Sequence, residues 1–186
     1  MKIFGRKESL SWITDRLITP VDGERILDLG CGTATILAAM SNVEYTGIDN
    51  NSRYVKKAVE RFGHQGKFIC ADLNDEIVAT LGTFDKILLL GVMHHLPDES
   101  VEQTMALIPK LLRPQGVLIT IDPAFEENQH PIARIMARLD RGKFVRSKDG
   151  YVALIQSKLT IIYQTTLHDL NRMPYTHAII KAKLNF

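Results

Sequence analysis

Five short aliphatic runs, each followed by a turn and a stretch with helical periodicity, dominate the first two thirds of this chain. Arg25–Leu29, Val43–Ile48, Lys67–Ala71, Phe84–Leu90 and Val117–Ile121 read as strands. The segments between them read as helices, with Val55, Ala58, Val59 and Phe62 forming one apolar stripe. This alternation is the signature of βαβ units and a largely parallel sheet. Four consecutive aliphatics in Phe84–Leu90 suit a strand covered on both faces.

Further elements fill in the pattern. A first helix is predicted over Glu8–Ile18, with Ser9 as its N-cap, and Gly30–Thr33 is predicted to turn into a second helix running through Ile36, Leu37 and Met40. Asn51 or Ser52 can cap the helix after the second strand, and a short helix covers Asp75–Leu81. Another helix spans about Ser100–Leu112, where Pro109 should kink or shorten it. Residues 123–150 interrupt the alternation. Within them Ile132, Ile135, Met136 and Leu139 mark a short amphipathic helix beginning near Pro131, and a last helix covers Lys148–Ser157. Leu159–Leu167 and Thr176–Leu184 are two strands whose short link favours an antiparallel pair.

With 186 residues the chain fits one domain. Its expected parts are an N-terminal helix in 1–20, a core in 25–122 and a remainder in 123–186. Twenty-three lysines and arginines against 21 aspartates and glutamates give +2, too weak a field for direct binding of nucleic acid. No apolar run approaches the roughly 18 residues of a membrane span, and the charged opening does not read as an export signal, so the expected location is the cytoplasm. Cys31 and Cys70 are too few for a disulfide framework or a zinc site and are expected as reduced thiols, with no metal.

In an open parallel sheet, ligands bind beyond the carboxyl ends of the strands, near the point where strand order reverses. The unusual residues collect there: Asp28, Gly30 and Gly32, then Asp49 and Asn50, then Asp72 and Leu73, then Gly91, Met93, His94 and His95. Glycines at 30 and 32 allow close approach of backbone to a ligand. Asp49, 19 residues beyond Gly30, stands where an acid reaches ribose hydroxyls. Thr35 occupies the third-glycine position of the dinucleotide fingerprint, and Asp28 would repel a diphosphate, which counts against NAD. S-adenosylmethionine, carrying an ammonium and a sulfonium, suits that acid better.

These residues resemble the class I S-adenosylmethionine-dependent methyltransferases, in their small-molecule branch. Ile26–Ala34 is similar to their first motif, with Ala34 replacing its last glycine. Gly47-Ile48-Asp49 is similar to the ribose motif, Ala71-Asp72-Leu73 to the adenine motif, and Leu111–Gly116 to the turn before the fifth strand. Phe84-Asp85 through His94-His95-Leu96-Pro97-Asp98 resembles the fourth motif, without the Asn- or Asp-Pro-Pro-aromatic sequence used on nucleobases. The resemblance implies a Rossmann-like three-layer α/β sandwich, with a seven-stranded, mostly parallel sheet and an antiparallel C-terminal hairpin. It implies S-adenosylmethionine as cofactor and S-adenosylhomocysteine as product. Gly30, Cys31 and Gly32 would pack on the methionine part, Asp28 and the Gly91 carbonyl would hold its ammonium, Asp49 and Asn50 would lie at the ribose, and Asp72 with Leu73 would meet adenine.

The expected reaction is methyl transfer to oxygen, nitrogen or carbon of a small metabolite, anionic ones included. The other readings are an NAD-dependent oxidoreductase and a non-catalytic S-adenosylmethionine-binding module. His94 and His95 are the candidate bases, against a reading in which one of them only orients the loop before Pro97. Arg141 and Arg146 could clamp an anionic acceptor or belong to a solvated loop face. The 132–139 helix could be a lid or ordinary packing. Arg172, Pro174, Tyr175 and His177 could close the pocket or form an edge turn. The oligomeric state stays open.

Overall fold

The computed structural model describes residues 6–168, 170 and 174–185. Its elements follow the expected order: α1 (Arg6–Trp12), β1 (Arg25–Leu29), β2 (Glu44–Asp49), α2 (Ser52–Phe62), β3 (Gly66–Cys70), α3 (Asp75–Leu81), β4 (Phe84–Leu90), α4 (Asp98–Leu111), β5 (Leu112–Phe125), α5 (Pro131–Arg138), β6 (Arg146–Ser147), α6 (Lys148–Gln156), β7 (Leu159–Leu167) and β8 (His177–Leu184).

Seven strands lie in the order β3-β2-β1-β4-β5-β8-β7. The first five are parallel, and β8 runs antiparallel to both β5 and β7. An eighth strand that periodicity does not announce, the two-residue β6, pairs in parallel with Ala124 and Phe125. The central strands are buried on both faces, and their side chains alternate accordingly. Leu27, Leu29, Ile87 and Leu89 join Val101, Met105 and Ile108 of α4 and Tyr151 and Ile155 of α6 on one side. Ile26 and Leu88 join Ile18, Leu37, Tyr45, Ala58 and Phe62 on the other. Helices on both faces make the three layers.

Several local readings change. Ser9 lies inside α1 and its hydroxyl donates to the Leu170 carbonyl at 2.5 Å, so it is no cap. The helix then widens into a π-helical turn over Ile13–Ile18 that closes at Thr19, at φ 45°. The helix expected after β1 shrinks to a 3-10 turn, Thr35–Ala39. Asn51 caps α2 by accepting from the Arg53 N–H, and Val59 falls outside its buried stripe of Val55, Ala58 and Phe62. Pro109 lies inside α4, which begins two residues earlier than expected and runs on past it to Leu111.

The largest change concerns α5. Its buried residues are Ala133 and Ala137, while Ile132, Ile135 and Leu139 face outward. Small side chains let the helix lie close against the protein, and the bulky aliphatics are left on the far side. The ordinary-packing reading of those three residues is therefore wrong. No helix among the described residues is long and apolar enough to cross a membrane.

Candidate functional site

β1 and β4 are neighbours, and from them the chain order runs outward in opposite directions. That is the switch point at which a crevice opens. The loop leaving β1 is latched to β2, because the Gly30 and Cys31 N–H groups both donate to the Ile48 carbonyl at 2.8 and 3.0 Å. The Gly32 N–H donates to Asp49 Oδ2 at 2.8 Å, and Asp49 Oδ1 accepts from the Asn51 N–H at 2.8 Å. Each carboxylate oxygen keeps a second lone pair. Asn50 Nδ2 donates to Asp72 Oδ1 at 2.9 Å, which ties the end of β2 to the loop after β3. Leu73 packs its side chain into the core beneath.

Gly30 is at φ 71°, and a Cβ there would strike Val92 at 2.7 Å. Gly32, at φ 54°, has only open space where a Cβ would point, and a Cβ on Gly91, at φ 73°, would find just His94 Cε1 at 3.7 Å. The loop is thus pinned from below by Val92 and bare above. Ala34, at φ 51°, holds a left-handed conformation costly for a residue with a Cβ, which accounts for the glycine usual in that motif position.

Asp28 sits under this loop rather than along it. It shares a face with Ile26, is 3% exposed, and accepts from the Tyr45 hydroxyl at 2.5 Å. Burial lifts its carboxyl to about 7 against the pull of that hydrogen bond, with the charge of Asp49 adding to the rise. Burial and the two aspartates push the Cys31 thiol upward, so it stays protonated. Both cysteines are free thiols.

The two histidines part company. His94 is 5% exposed, and both ring nitrogens are engaged: Nδ1 with Asp122 Oδ1 at 2.8 Å, and Nε2 lies 3.2 Å from Asp140 Oδ1. Its backbone N–H also donates to Asp122 Oδ1. Asp140 Oδ2 accepts from the Tyr175 hydroxyl at 2.5 Å. Burial raises the Asp122 carboxyl against the bonds from His94, whereas bonds from Tyr175 and Gly142 overcome partial burial and lower Asp140. His94 is therefore held at both ring nitrogens and at its backbone N–H. His95 is exposed and stacks on the His94 ring at 4.0 Å. Partial burial and the neighbouring His94 hold its imidazole below the ordinary histidine value.

Tyr175 is buried with its hydroxyl on Asp140. His177 is buried edge-on against it, Pro174 is exposed, and Arg172 lies outside the described residues. Arg146 is engaged within the protein. Its guanidinium donates to Asp98 Oδ1 at 2.5 and 2.8 Å and to the carbonyls of Met93, Leu96 and Phe144, stitching the segment after α5 over the His94 loop. Gly142 touches that loop so closely that a Cβ would lie 2.0 Å from His94 Cδ2. Arg146→Ala should lower stability by about 2 to 3 kcal/mol, the scale of hydrogen bonds to a charged group, and Arg146→Lys should not restore it. Urea unfolding tests this, and a loss under about 0.5 kcal/mol would refute the stitch. Arg141 is exposed, with no ion pair among the described residues.

Sequence reasoning passed over Asp122 and Asp140. The signal for Asp122 was present, since it directly follows the fifth aliphatic run as Asp49 follows the second.

Residues 26–116 match a family described as a methyltransferase domain. A ubiquinone biosynthesis O-methyltransferase from Thiobacillus denitrificans is 30% identical over 112 residues, 58% of this chain and 47% of the relative. Over residues 26–116 the chain is similar to the class I S-adenosylmethionine-dependent methyltransferases. It spans about half the length of that relative. Among solved structures, a TehB-like methyltransferase from Corynebacterium glutamicum superposes with a TM-score of 0.69 at 16% identity, covering 95% of this chain and 88% of that one. The N-methyltransferase NodS from Bradyrhizobium japonicum, in complex with S-adenosyl-L-homocysteine, gives 0.70 at 16% identity, covering 97% and 87%. These two show the shared fold. The residues collected there suit the methyltransferase cofactor: Gly32 has open space where a Cβ would point, and its N–H holds the Asp49 carboxylate beside it.

Proposed function

We propose that this chain transfers a methyl group from S-adenosylmethionine to a hydroxyl oxygen of a small acceptor. The observation that carries this reading is the Asp49 carboxylate fastened to the Gly32 N–H beside an open glycine edge at the switch point. S-adenosylmethionine supplies a methyl group on a sulfonium, which leaves by in-line displacement. The free lone pairs of Asp49 receive the ribose hydroxyls, with Asn50 alongside, and Asp72 and Leu73 meet the adenine. The backbone of Gly30, Cys31 and Gly32 backs the methionine part, the Gly91 carbonyl faces its ammonium, and Asp28 contributes negative charge from below.

Oxygen is favoured over nitrogen and carbon by the relative named as an O-methyltransferase and by an exposed imidazole at the rim. His95, held neutral by its surroundings, accepts the hydroxyl proton and releases it to solvent. His94 fixes the ring on which His95 stacks. With Arg146 occupied, an acceptor's negative charge falls to Arg141.

Two measurements test the reading. Mass spectrometry of a metabolite extract incubated with the protein and methyl-labelled S-adenosylmethionine should find an O-methylated product. Asp49→Ala should weaken S-adenosylmethionine binding by about 1.5 to 3 kcal/mol in calorimetry, the scale of hydrogen bonds to a charged group. Unchanged affinity would remove Asp49 from the ribose.

A further inference from the structure

We propose that the outer face of α5 and the loop after it dock the protein on an anionic lipid bilayer. The helix is inverted relative to an ordinary surface helix. Ala133 and Ala137, 2% exposed each, turn inward, while Ile132, Ile135 and Leu139, at 48%, 54% and 78%, form an outward stripe at i, i+3 and i+7. Phe144 adds an aromatic ring at 38% exposure. Scattered surface aliphatics need no explanation, but three on successive turns of one helix form a patch.

Charge decides among occupants. Residues 131–148 hold six lysines and arginines against one aspartate in a chain whose net charge is only +2. The aspartate, Asp140, is turned inward to His94 and Tyr175, and Arg146 and Lys148 are paired with Asp98 and Asp149. Arg134 donates to the carbonyls of Glu126 and Glu127. Arg138, Arg141 and Lys143 remain exposed beside the apolar stripe, with no ion pair or hydrogen bond among the described residues. The neighbouring acids are Glu126, which bonds Thr166 and lies by His168, and the exposed Glu127. Two copies meeting through this face about a two-fold axis would set cation against cation. An interfacial helix needs what is found here, aliphatic and aromatic side chains flanked by cations facing anionic headgroups. Docking in this way stands independently of methyl transfer.

The test is co-sedimentation of the whole chain with vesicles of phosphatidylcholine, alone or mixed with phosphatidylglycerol. The protein should pellet with the mixed vesicles only, and high salt should release it. The double variant Ile135→Ser/Leu139→Ser should stay in the supernatant. Arg138→Gln/Lys143→Gln should bind about 25-fold more weakly, roughly fivefold per cation. Calorimetry with S-adenosylmethionine shows that each variant is folded, since none of these residues belongs to the cofactor crevice. Equal binding to neutral vesicles, or full binding by either variant, overturns the proposal. So does a dimer in ultracentrifugation that the serine variant converts to monomer, which would make the face a subunit contact.

Discussion

Replacing His95 by alanine should lower kcat about a hundredfold while leaving S-adenosylmethionine affinity unchanged, since a positioned base contributes at least that much to proton removal. The ring is exposed at the end of β4, away from the cofactor loop latched to β2, so the two readouts separate. Its basicity is depressed by burial and by His94. In the wild type, kcat should therefore rise with pH and level off below the ordinary histidine value, and this limb should vanish in His95→Ala. His94→Ala should behave differently. It strips Asp122, 1% exposed and with its Oδ2 already lacking a hydrogen-bond partner, of its only histidine contact. That variant should lose stability as well as turnover. Full kcat in His95→Ala would reject the base.

The second large effect is one of pH on stability, hidden in the wild type by two opposed groups. Burial holds the His177 ring at about 4. Between there and the ordinary value of 6.5 the unfolded chain binds a proton that the folded one does not. Acidification through that window therefore costs about 1 kcal/mol per pH unit, about 3 kcal/mol in all. Asp28 works in the other sense. Its carboxyl is lifted from 3.8 to about 7, so between those values the folded chain holds the extra proton and is favoured by acid at a similar slope. The two contributions nearly cancel. Asp28→Asn should expose the histidine slope, stability falling by about 3 kcal/mol relative to wild type on acidification. His177→Phe should show the reverse, stability falling as pH rises. Urea unfolding of the three proteins across the window reads both slopes, and parallel curves would dismiss the pairing.

The cofactor half was legible because it is written in local patterns. Apolar runs of five to seven residues, glycines at 30, 32 and 91, and acids at strand ends depend on neighbours a few residues away, and β1 and β4 match the expected bounds residue for residue. The acceptor side depends on contacts between distant segments. Nothing local marks Asp140 as the partner of His94 and Tyr175, separated from it by 46 and 35 positions, or Arg146 as the partner of Asp98, 48 away. Local sequence therefore leaves unseen that Arg146 is bound and that His94 is wedged between two carboxylates. Helical periodicity also says which residues share a face but not which face turns inward, so the apolar stripe of α5 was legible and its exposure was not.

The position of β8 between β5 and β7 bears on how the protein is made. Until residues 177–184 leave the ribosome, β5 has no partner on one side along Val117–Pro123, and those seven residues offer an unpaired, mostly aliphatic edge in the nascent chain. Synthesis of this fold passes through a stage at which the parallel half is assembled and most prone to stick to itself, and translation of one short strand ends it.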